Sequence, residues 1–228
     1  MKTDTMNLET PHGLTTAFAA KPDGTEPTSA VILIHEWWGI NDHIRDLVGR
    51  YAAEGYTCVA PDLFRGQVAN DATEAASLMN ALALDDGIAT IKATVTELSD
   101  KSGIKKIGIT GYCMGGTFAL RAACEIETLS AAAPFYGDIP DEDALASLSV
   151  PTLFVAAARD GWITPEKVEG LKDAARKFDL PVEIVSYDAD HAFFNDTRPQ
   201  VYDPEASSDA WRRVLEFFRE RLTPSRLR

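Results

Sequence analysis

The apolar residues of this chain predict strands that alternate with helices. Residues 30–35 and 56–60 are continuous apolar runs, which are typical of parallel strands covered on both faces. Residues 43–54 instead repeat apolar residues at helical spacing. Similar patterns predict further strands at 6–10, 14–20, 107–110, 129–136, 150–157 and 182–187, and helices at 70–84, 86–100, 117–124, 165–178 and 206–222. We therefore expect one α/β domain over residues 1–228, with a mainly parallel, twisted sheet of about eight strands and helices on both faces.

Composition and charge narrow the class of protein. A chain of 228 residues, with 45% hydrophobic and 25% charged residues, is ordinary for a globular protein. The formal net charge of −13 disfavours nucleic acid and anionic membrane surfaces as partners. No signal peptide or membrane-spanning apolar stretch is evident, so we expect a cytoplasmic protein. Three cysteines without a Cys-x-x-Cys pair argue against a disulfide framework or a thiolate zinc site, and we expect no metal and no cofactor.

The segment 107–116 has the most specific sequence pattern in the chain. A short strand-like run ends in Gly111-Tyr112-Cys113-Met114-Gly115 and leads into a helix-prone stretch. A strand that breaks into a nucleophile flanked by glycines and then into a helix predicts a nucleophile elbow. Cys113 would stand at a helix N-terminus, where the helix dipole favours a thiolate. A free cysteine is, however, more commonly a small buried hydrophobe, and the motif alone leaves both readings open.

Four ionisable residues follow predicted strands. They are Glu36, Cys113, Asp160 and His191. The carboxyl ends of parallel strands form the ligand-binding edge of such sheets, so we expect these side chains to lie close together. Any one of them could be an ordinary loop residue. Nucleophile, acid and histidine nevertheless follow one another in the chain order of α/β-hydrolases.

The chain resembles the dienelactone hydrolase (carboxymethylenebutenolidase-like) family of the α/β-hydrolases. The residues that carry the resemblance span most of the chain and are His35-Glu36-Trp37-Trp38-Gly39, Ala60-Pro61-Asp62-Leu63-Phe64-Arg65-Gly66, Gly111-Tyr112-Cys113-Met114-Gly115-Gly116, Asp160, and His191-Ala192-Phe193-Phe194-Asn195-Asp196. The resemblance implies an α/β-hydrolase fold and hydrolysis of carboxylic esters or lactones.

The resemblance also implies the roles of the site residues. It implies a triad of Cys113, His191 and Asp160, with Glu36 as an extra carboxylate that contacts the thiol. The chemistry of each residue fits, since a histidine can take and return the thiol proton and an aspartate can orient the imidazole. The backbone N–H groups of Met114 and Trp37 are the implied oxyanion hole. Trp37 could equally be a packing residue.

Substrate contacts are less well defined by the sequence. The expected substrate-binding residues are Arg65, Tyr112, Trp38, Phe64 and Phe193. Two arginines hold a substrate carboxylate in well-known members of the family. Here Arg65 is displaced by one position, Asn195 occupies the place of the second arginine, and Arg198 lies nearby without aligning to it.

Three functions remain open at the level of sequence. The leading hypothesis is a cysteine-dependent hydrolase of small-molecule esters or lactones, acting as a monomer or small homo-oligomer. A class I amidotransferase-like glutaminase also uses a cysteine elbow, but it would place a glutamate two residues after the histidine, where Phe193 stands. A degenerate hydrolase fold that serves as a binding module is the third, and the intact Cys113, Asp160 and His191 argue against it.

Overall fold

The fold is organised around a single sheet. A computed structural model describes residues 1–24 and 26–223, and within them the sheet has eight strands in the order β1-β2-β4-β3-β5-β6-β7-β8. The strands are β1 (Lys2–Thr10), β2 (Gly13–Lys21), β3 (Ser29–Ile34), β4 (Thr57–Pro61), β5 (Lys106–Tyr112), β6 (Ala131–Phe135), β7 (Thr152–Ala157) and β8 (Val182–Tyr187). Every predicted strand is confirmed, with ends shifted by a few residues, and β1 and β2 form a hairpin in which Thr10 pairs with Gly13.

Helices connect most of the strands. They are α1 (Asp42–Ala53), α2 (Ala72–Ala81), α3 (Leu84–Thr96), α4 (Met114–Glu125), α5 (Glu142–Leu145), α6 (Pro165–Phe178) and α7 (Pro204–Leu222). The helix predicted over 86–100 ends in a π-helical turn, Glu97–Lys101. The four-residue helix α5 was not predicted, because it is too short to show an apolar period. Thr164 occupies the N-cap of α6, and its side chain makes no capping hydrogen bond.

Strand direction brings the functional residues to one edge. β1 and β2 are antiparallel to each other, and β2 is antiparallel to β4. All other neighbouring strands are parallel, with β5 between β3 and β6. The carboxyl ends of β3, β5, β6, β7 and β8 therefore meet at the same edge of the sheet.

Both faces of the sheet are covered by helices, which explains the continuous apolar strands. Ile32 and Ile34 of β3 pack into a hydrophobic cluster with α3, α4 and α6. Val31 and Leu33 point to the opposite face, into a second cluster with α1 and α7. Alternate residues of one strand thus enter two different cores, and all of them must be apolar. Among the helices of the described residues, none combines the length and the apolar character that crossing a bilayer requires.

Candidate active site

Cys113 occupies a strained turn between β5 and α4. It is the N-cap residue of α4, with φ 57° and ψ −119°, and its N–H donates to the carbonyl of Phe135 over 3.1 Å. A positive φ is unfavourable for a residue with a Cβ atom and persists only where the surroundings enforce it. The strand, the sharp turn and the helix predicted for this segment are all present, and they hold the thiol at the carboxyl edge of the sheet.

Glycines around Cys113 allow the backbone segments to approach closely. A Cβ atom on Gly111 would lie 2.2 Å from the carbonyl oxygen of Gly115. A Cβ atom on Gly115 would lie 2.2 Å from the carbonyl oxygen of Ile34. Real Cβ atoms do not approach backbone that closely, so the first turn of α4 rests against β3 and β5 only because both positions are glycine.

Asp160 and His191 form a hydrogen-bonded pair, as the sequence predicts. His191 Nδ1 lies 2.6 Å from Asp160 Oδ2. The other carboxylate oxygen of Asp160 accepts from the N–H groups of Trp162 and Ile163 over 2.8 and 2.9 Å. Burial raises the pKa of Asp160, but the hydrogen bond and charge of His191 and the two N–H donors together bring it below its ordinary value. The ionised acid therefore holds the proton of His191 on Nδ1.

His191 Nε2 is left as the free nitrogen of the imidazole. It is buried and has no hydrogen-bond partner among the described residues, so no hydrogen bond joins it to the thiol of Cys113. A buried nitrogen without a partner is costly, and it is available to a reacting group. The structure thus has a formed acid–histidine pair, and the thiol of Cys113 makes no hydrogen bond to it.

The electrostatics of Cys113 favour a neutral thiol at rest. Burial and, next, the negative charge of Glu36 raise the pKa of Cys113 to about 12. The N–H of Met114 and the charge of Arg198 act in the opposite direction and are outweighed. The expectation that the N-terminus of α4 yields a thiolate is therefore wrong for this state, because desolvation exceeds the effect of the helix end.

Glu36 follows β3 directly and is buried at the same edge. Only 2% of the residue is exposed, and Oε2 accepts a 2.7 Å hydrogen bond from Asn195 Nδ2. Burial raises the pKa of Glu36 to about 7, against the hydrogen bond from Asn195 and the charges of Arg198 and His191. The resemblance implies a contact between Glu36 and the thiol. Within the described residues the carboxylate is hydrogen-bonded to Asn195, and it acts on Cys113 through its charge.

The loop that carries Trp37 is fixed by a buried histidine. His35 Nε2 accepts from the N–H of Leu63 over 3.2 Å, so Nδ1 carries the proton and donates to the carbonyl of Glu36 over 2.6 Å. The N–H of Trp37 donates to no acceptor within the described residues. The N–H of Met114 is the first of α4 and has no partner inside the helix. The N–H of Trp37 is thus unengaged among the described residues, and the N–H of Met114 is directed at the sulfur of Cys113, whose pKa it lowers.

Two of the expected substrate-binding residues are engaged elsewhere. Arg65 donates to Asp86 over 2.6 Å and to the carbonyl of Leu14 over 2.9 Å, which ties the β1–β2 hairpin to α3. The hydroxyl of Tyr112 lies 3.3 Å from that of Tyr51, in the core between the sheet and α1. We therefore assign Arg65 and Tyr112 to the scaffold.

The remaining aromatic residues surround the site. Phe64 packs against the ring of His35 at 4.9 Å, and Phe193 is fully buried. Trp38 packs against Trp37 at 5.1 Å and remains partly exposed. Trp162, in the loop after β7, is 38% exposed, and the centre of its ring lies 5.4 Å from that of His191. Trp162 thus presents an accessible aromatic surface beside His191.

Sequence reasoning missed two residues of the site. Asn195 was read as a departure from the family, whereas it is the hydrogen-bond partner of Glu36. Tyr136 was predicted as the end of a strand, whereas its hydroxyl is buried without a partner among the described residues and its φ is 36°. No local pattern signals a partner 159 positions away or a strained backbone.

Among the described residues, no group of three or more His, Cys, Asp or Glu side chains could hold a metal ion.

The fold and the order of site residues define an α/β-hydrolase. A mainly parallel eight-stranded sheet carries Cys113 in a strained strand–turn–helix after β5, an acid after β7 and a histidine after β8. The chain belongs to the dienelactone hydrolase family, whose model matches residues 15–222. The protein is therefore a hydrolase of carboxylic esters or lactones, with a small molecule as substrate.

Similar proteins match most of this chain. The chain is 35% identical to Protein usf of Aquifex pyrophilus over 85% of this chain and 88% of that protein. It is 31% identical to the "Putative carboxymethylenebutenolidase" of Aquifex aeolicus, over 90% of this chain and 93% of that protein. The crystal structure of the "Putative Dienelactone Hydrolase" from Klebsiella pneumoniae superposes with a TM-score of 0.88 at 28% identity, covering 95% of this chain and 98% of that one.

Proposed function

We propose that the protein hydrolyses its ester or lactone through a thioester acyl-enzyme on Cys113. The observation that carries the proposal is the 2.6 Å pair of Asp160 and His191, whose Nε2 has no partner, at the sheet edge where Cys113 caps α4. A partly buried histidine that is oriented by an acid and whose second nitrogen is unengaged is what a thiol nucleophile requires. This arrangement favours an ester hydrolase over the glutaminase and binding-module alternatives.

The proposed reaction has two halves. His191 Nε2 takes the thiol proton as Sγ bonds to the substrate carbonyl carbon, and the oxyanion accepts from the N–H groups of Met114 and Trp37. The C–O bond then breaks, and the leaving oxygen takes the proton from His191. Water next gives a proton to Nε2 and attacks the thioester, and Cys113 leaves and recovers the proton. A lactone would give a hydroxy acid, since its leaving oxygen stays attached to the acyl group.

Glu36 is proposed to control when the thiol ionises. An ionised Glu36 opposes a thiolate at Cys113, because two negative charges would share one desolvated site. With a pKa of about 7, Glu36 can be protonated near neutral pH and remove this repulsion. The two groups then titrate as a coupled pair.

Substrate recognition is proposed to involve Arg198 and Trp162. Arg198 forms no ion pair in the part of the chain that the structure describes, and its charge lowers the pKa of both Glu36 and Cys113. A cation so placed suits an anionic substituent on the substrate. The exposed ring of Trp162 beside His191 suits the apolar part of the molecule.

The test is a comparison of cysteine variants on activated aryl esters and on lactones. Cys113→Ala should abolish turnover while circular dichroism shows a folded protein, and Cys113→Ser should leave weak activity, because an alkoxide is harder to form than a thiolate. Intact-protein mass spectrometry of the wild type during turnover should detect an acyl adduct on Cys113. The control is Cys124→Ala, a buried cysteine within α4. Wild-type turnover by Cys113→Ala would refute the proposal.

A further inference from the structure

Tyr136 combines two unfavourable features at one position. It follows β6 directly and has a φ of 36°, a conformation that residues with a side chain rarely adopt. The residue is fully buried, and its hydroxyl has no hydrogen-bond partner among the described residues. A buried hydroxyl without a partner lowers stability, and so does backbone strain. Both costs at the same residue indicate a function for the hydroxyl.

The surroundings of Tyr136 belong to the active site. Its ring packs edge-on against the ring of His191, with 5.0 Å between centroids. The residue before it, Phe135, accepts the backbone hydrogen bond of Cys113. Burial and then the charges of Glu36 and Cys113 raise the pKa of Tyr136 well above its ordinary value, so its hydroxyl lies within electrostatic reach of both.

The hydroxyl of Tyr136 keeps its proton near neutral pH and can donate it in a hydrogen bond. Its raised pKa keeps the phenol protonated. The N–H of Phe194 approaches the phenol oxygen and lowers its pKa without reaching hydrogen-bond geometry, and an amide N–H could only donate. The phenol proton therefore has no acceptor among the residues that the structure describes. The acceptor must arise during the reaction.

We propose that the Tyr136 hydroxyl donates a hydrogen bond to the Cys113 thiolate once His191 has taken the thiol proton. The inference rests on Cys113 being the nucleophile. The proton passes from Sγ to Nε2, and Tyr136 keeps its own. The thiolate would lie among the carboxylates of Glu36 and Asp160, which oppose it, and near Arg198, which favours it. A hydrogen bond donated by Tyr136 stabilises the thiolate more than the neutral thiol, because hydrogen bonds to charged acceptors are the stronger class.

The test is the rate at which iodoacetamide alkylates Cys113 as a function of pH, followed by peptide mass spectrometry. Tyr136→Phe removes only the hydroxyl. Hydrogen bonds to charged groups are the stronger class, so alkylation at pH 8 should be about ten- to a hundredfold slower and the pH profile should shift upward by about one to two units. The value of kcat/KM for an activated ester should fall by a similar factor.

Stability provides a second readout. Because the hydroxyl has no partner at rest, Tyr136→Phe should leave the Tm unchanged or raise it. The matched control is Tyr51→Phe, which deletes a buried hydroxyl that is paired with Tyr112 in the core. Tyr51→Phe should lower the Tm and leave the alkylation profile of Cys113 unchanged.

The outcomes separate this inference from the proposed function. If Cys113→Ala is inactive but Tyr136→Phe alkylates with the wild-type profile, Tyr136 does not contact the thiolate and only this inference fails. A lower Tm for Tyr136→Phe would also overturn it, because the hydroxyl would then have a partner in the resting protein. Wild-type turnover by Cys113→Ala would remove the nucleophile and both proposals with it.

Discussion

Asn195 Nδ2 donates a 2.7 Å hydrogen bond to Glu36 Oε2, although the two residues lie 159 positions apart. The amide is oriented by Thr197, whose N–H and hydroxyl both donate to Asn195 Oδ1 over 3.0 and 2.6 Å. The family resemblance leads us to expect an arginine at this position. A guanidinium would favour the ionised Glu36, whereas a neutral amide does not offset burial, and the pKa of Glu36 stays at about 7.

Exchanging the acid and the amide tests this pair. Asn195→Asp should lower the free energy of unfolding by about 3–5 kcal/mol at pH 8, since two buried carboxylates would face each other. The double variant Glu36→Gln with Asn195→Asp restores one acid and one amide and should regain most of the loss. Urea denaturation measures both. Additive effects of the two substitutions would show that the residues do not interact.

Glu36 should make stability depend on pH. Its folded pKa of about 7 lies above the ordinary 4.5, so its favourable contribution is complete below pH 4.5 and is lost as the pH rises through 7. Glu36→Gln removes this titration and should be more stable than the wild type at pH 8 by up to about 3 kcal/mol, with little difference at pH 4.5. Urea denaturation at both pH values checks this. Glu127→Gln, at an exposed acid, is the control, and an equal effect of Glu36→Gln at both pH values would contradict the prediction.

Asp160→Asn should prevent His191 from acting as a base, while the loop around residue 160 keeps its structure. The amide oxygen can still accept from the N–H groups of Trp162 and Ile163, but the NH₂ group would face His191 Nδ1 and move the imidazole proton to Nε2. We expect kcat/KM to fall by about 10³–10⁴. Asp190→Asn, an exposed acid in the loop before His191, is the control. A loss below tenfold would mean that Asp160 does not orient the base.

Arg198→Gln tests recognition of an anionic substrate. We expect KM to rise about tenfold for an ester that carries a free carboxylate and to change less than twofold for the matched neutral ester. Arg65→Gln breaks the ion pair with Asp86 and should leave both KM values unchanged. If Arg65→Gln instead raises KM for the anionic ester alone, the substrate role expected for Arg65 from the sequence is restored.

Gly115→Ala tests the close contact beneath the elbow. The added Cβ would lie 2.2 Å from the carbonyl oxygen of Ile34, and backbone on both sides leaves little room to adjust. We expect a loss of about 3 kcal/mol or more in the free energy of unfolding. Gly170→Ala in α6 has nothing within 4 Å of the new Cβ and should be neutral or stabilising by up to about 1 kcal/mol. Equal stability of the two variants would show that α4 can move away.

The sequence by itself determined where the strands and helices lie and which candidate site residues follow the strands. Apolar runs such as 30–35 mark strands because both faces of a parallel sheet are buried, and helical spacing marks the helices between them. The strand direction then brings the ends of β3, β5, β7 and β8 together. The proximity of Asp160 and His191 therefore follows from the order of elements, and the structure confirms their hydrogen bond.

Only the tertiary structure decided the protonation and the partners within the site. The raised pKa values of Cys113 and Glu36 arise from burial by segments distant in sequence, and no local motif contains that information. The same reason explains why Asn195 and Tyr136 were missed, and why Arg65 was expected to bind substrate when it pairs with Asp86. Local sequence encodes which group is present, whereas its charge and its contacts depend on what the completed fold packs around it.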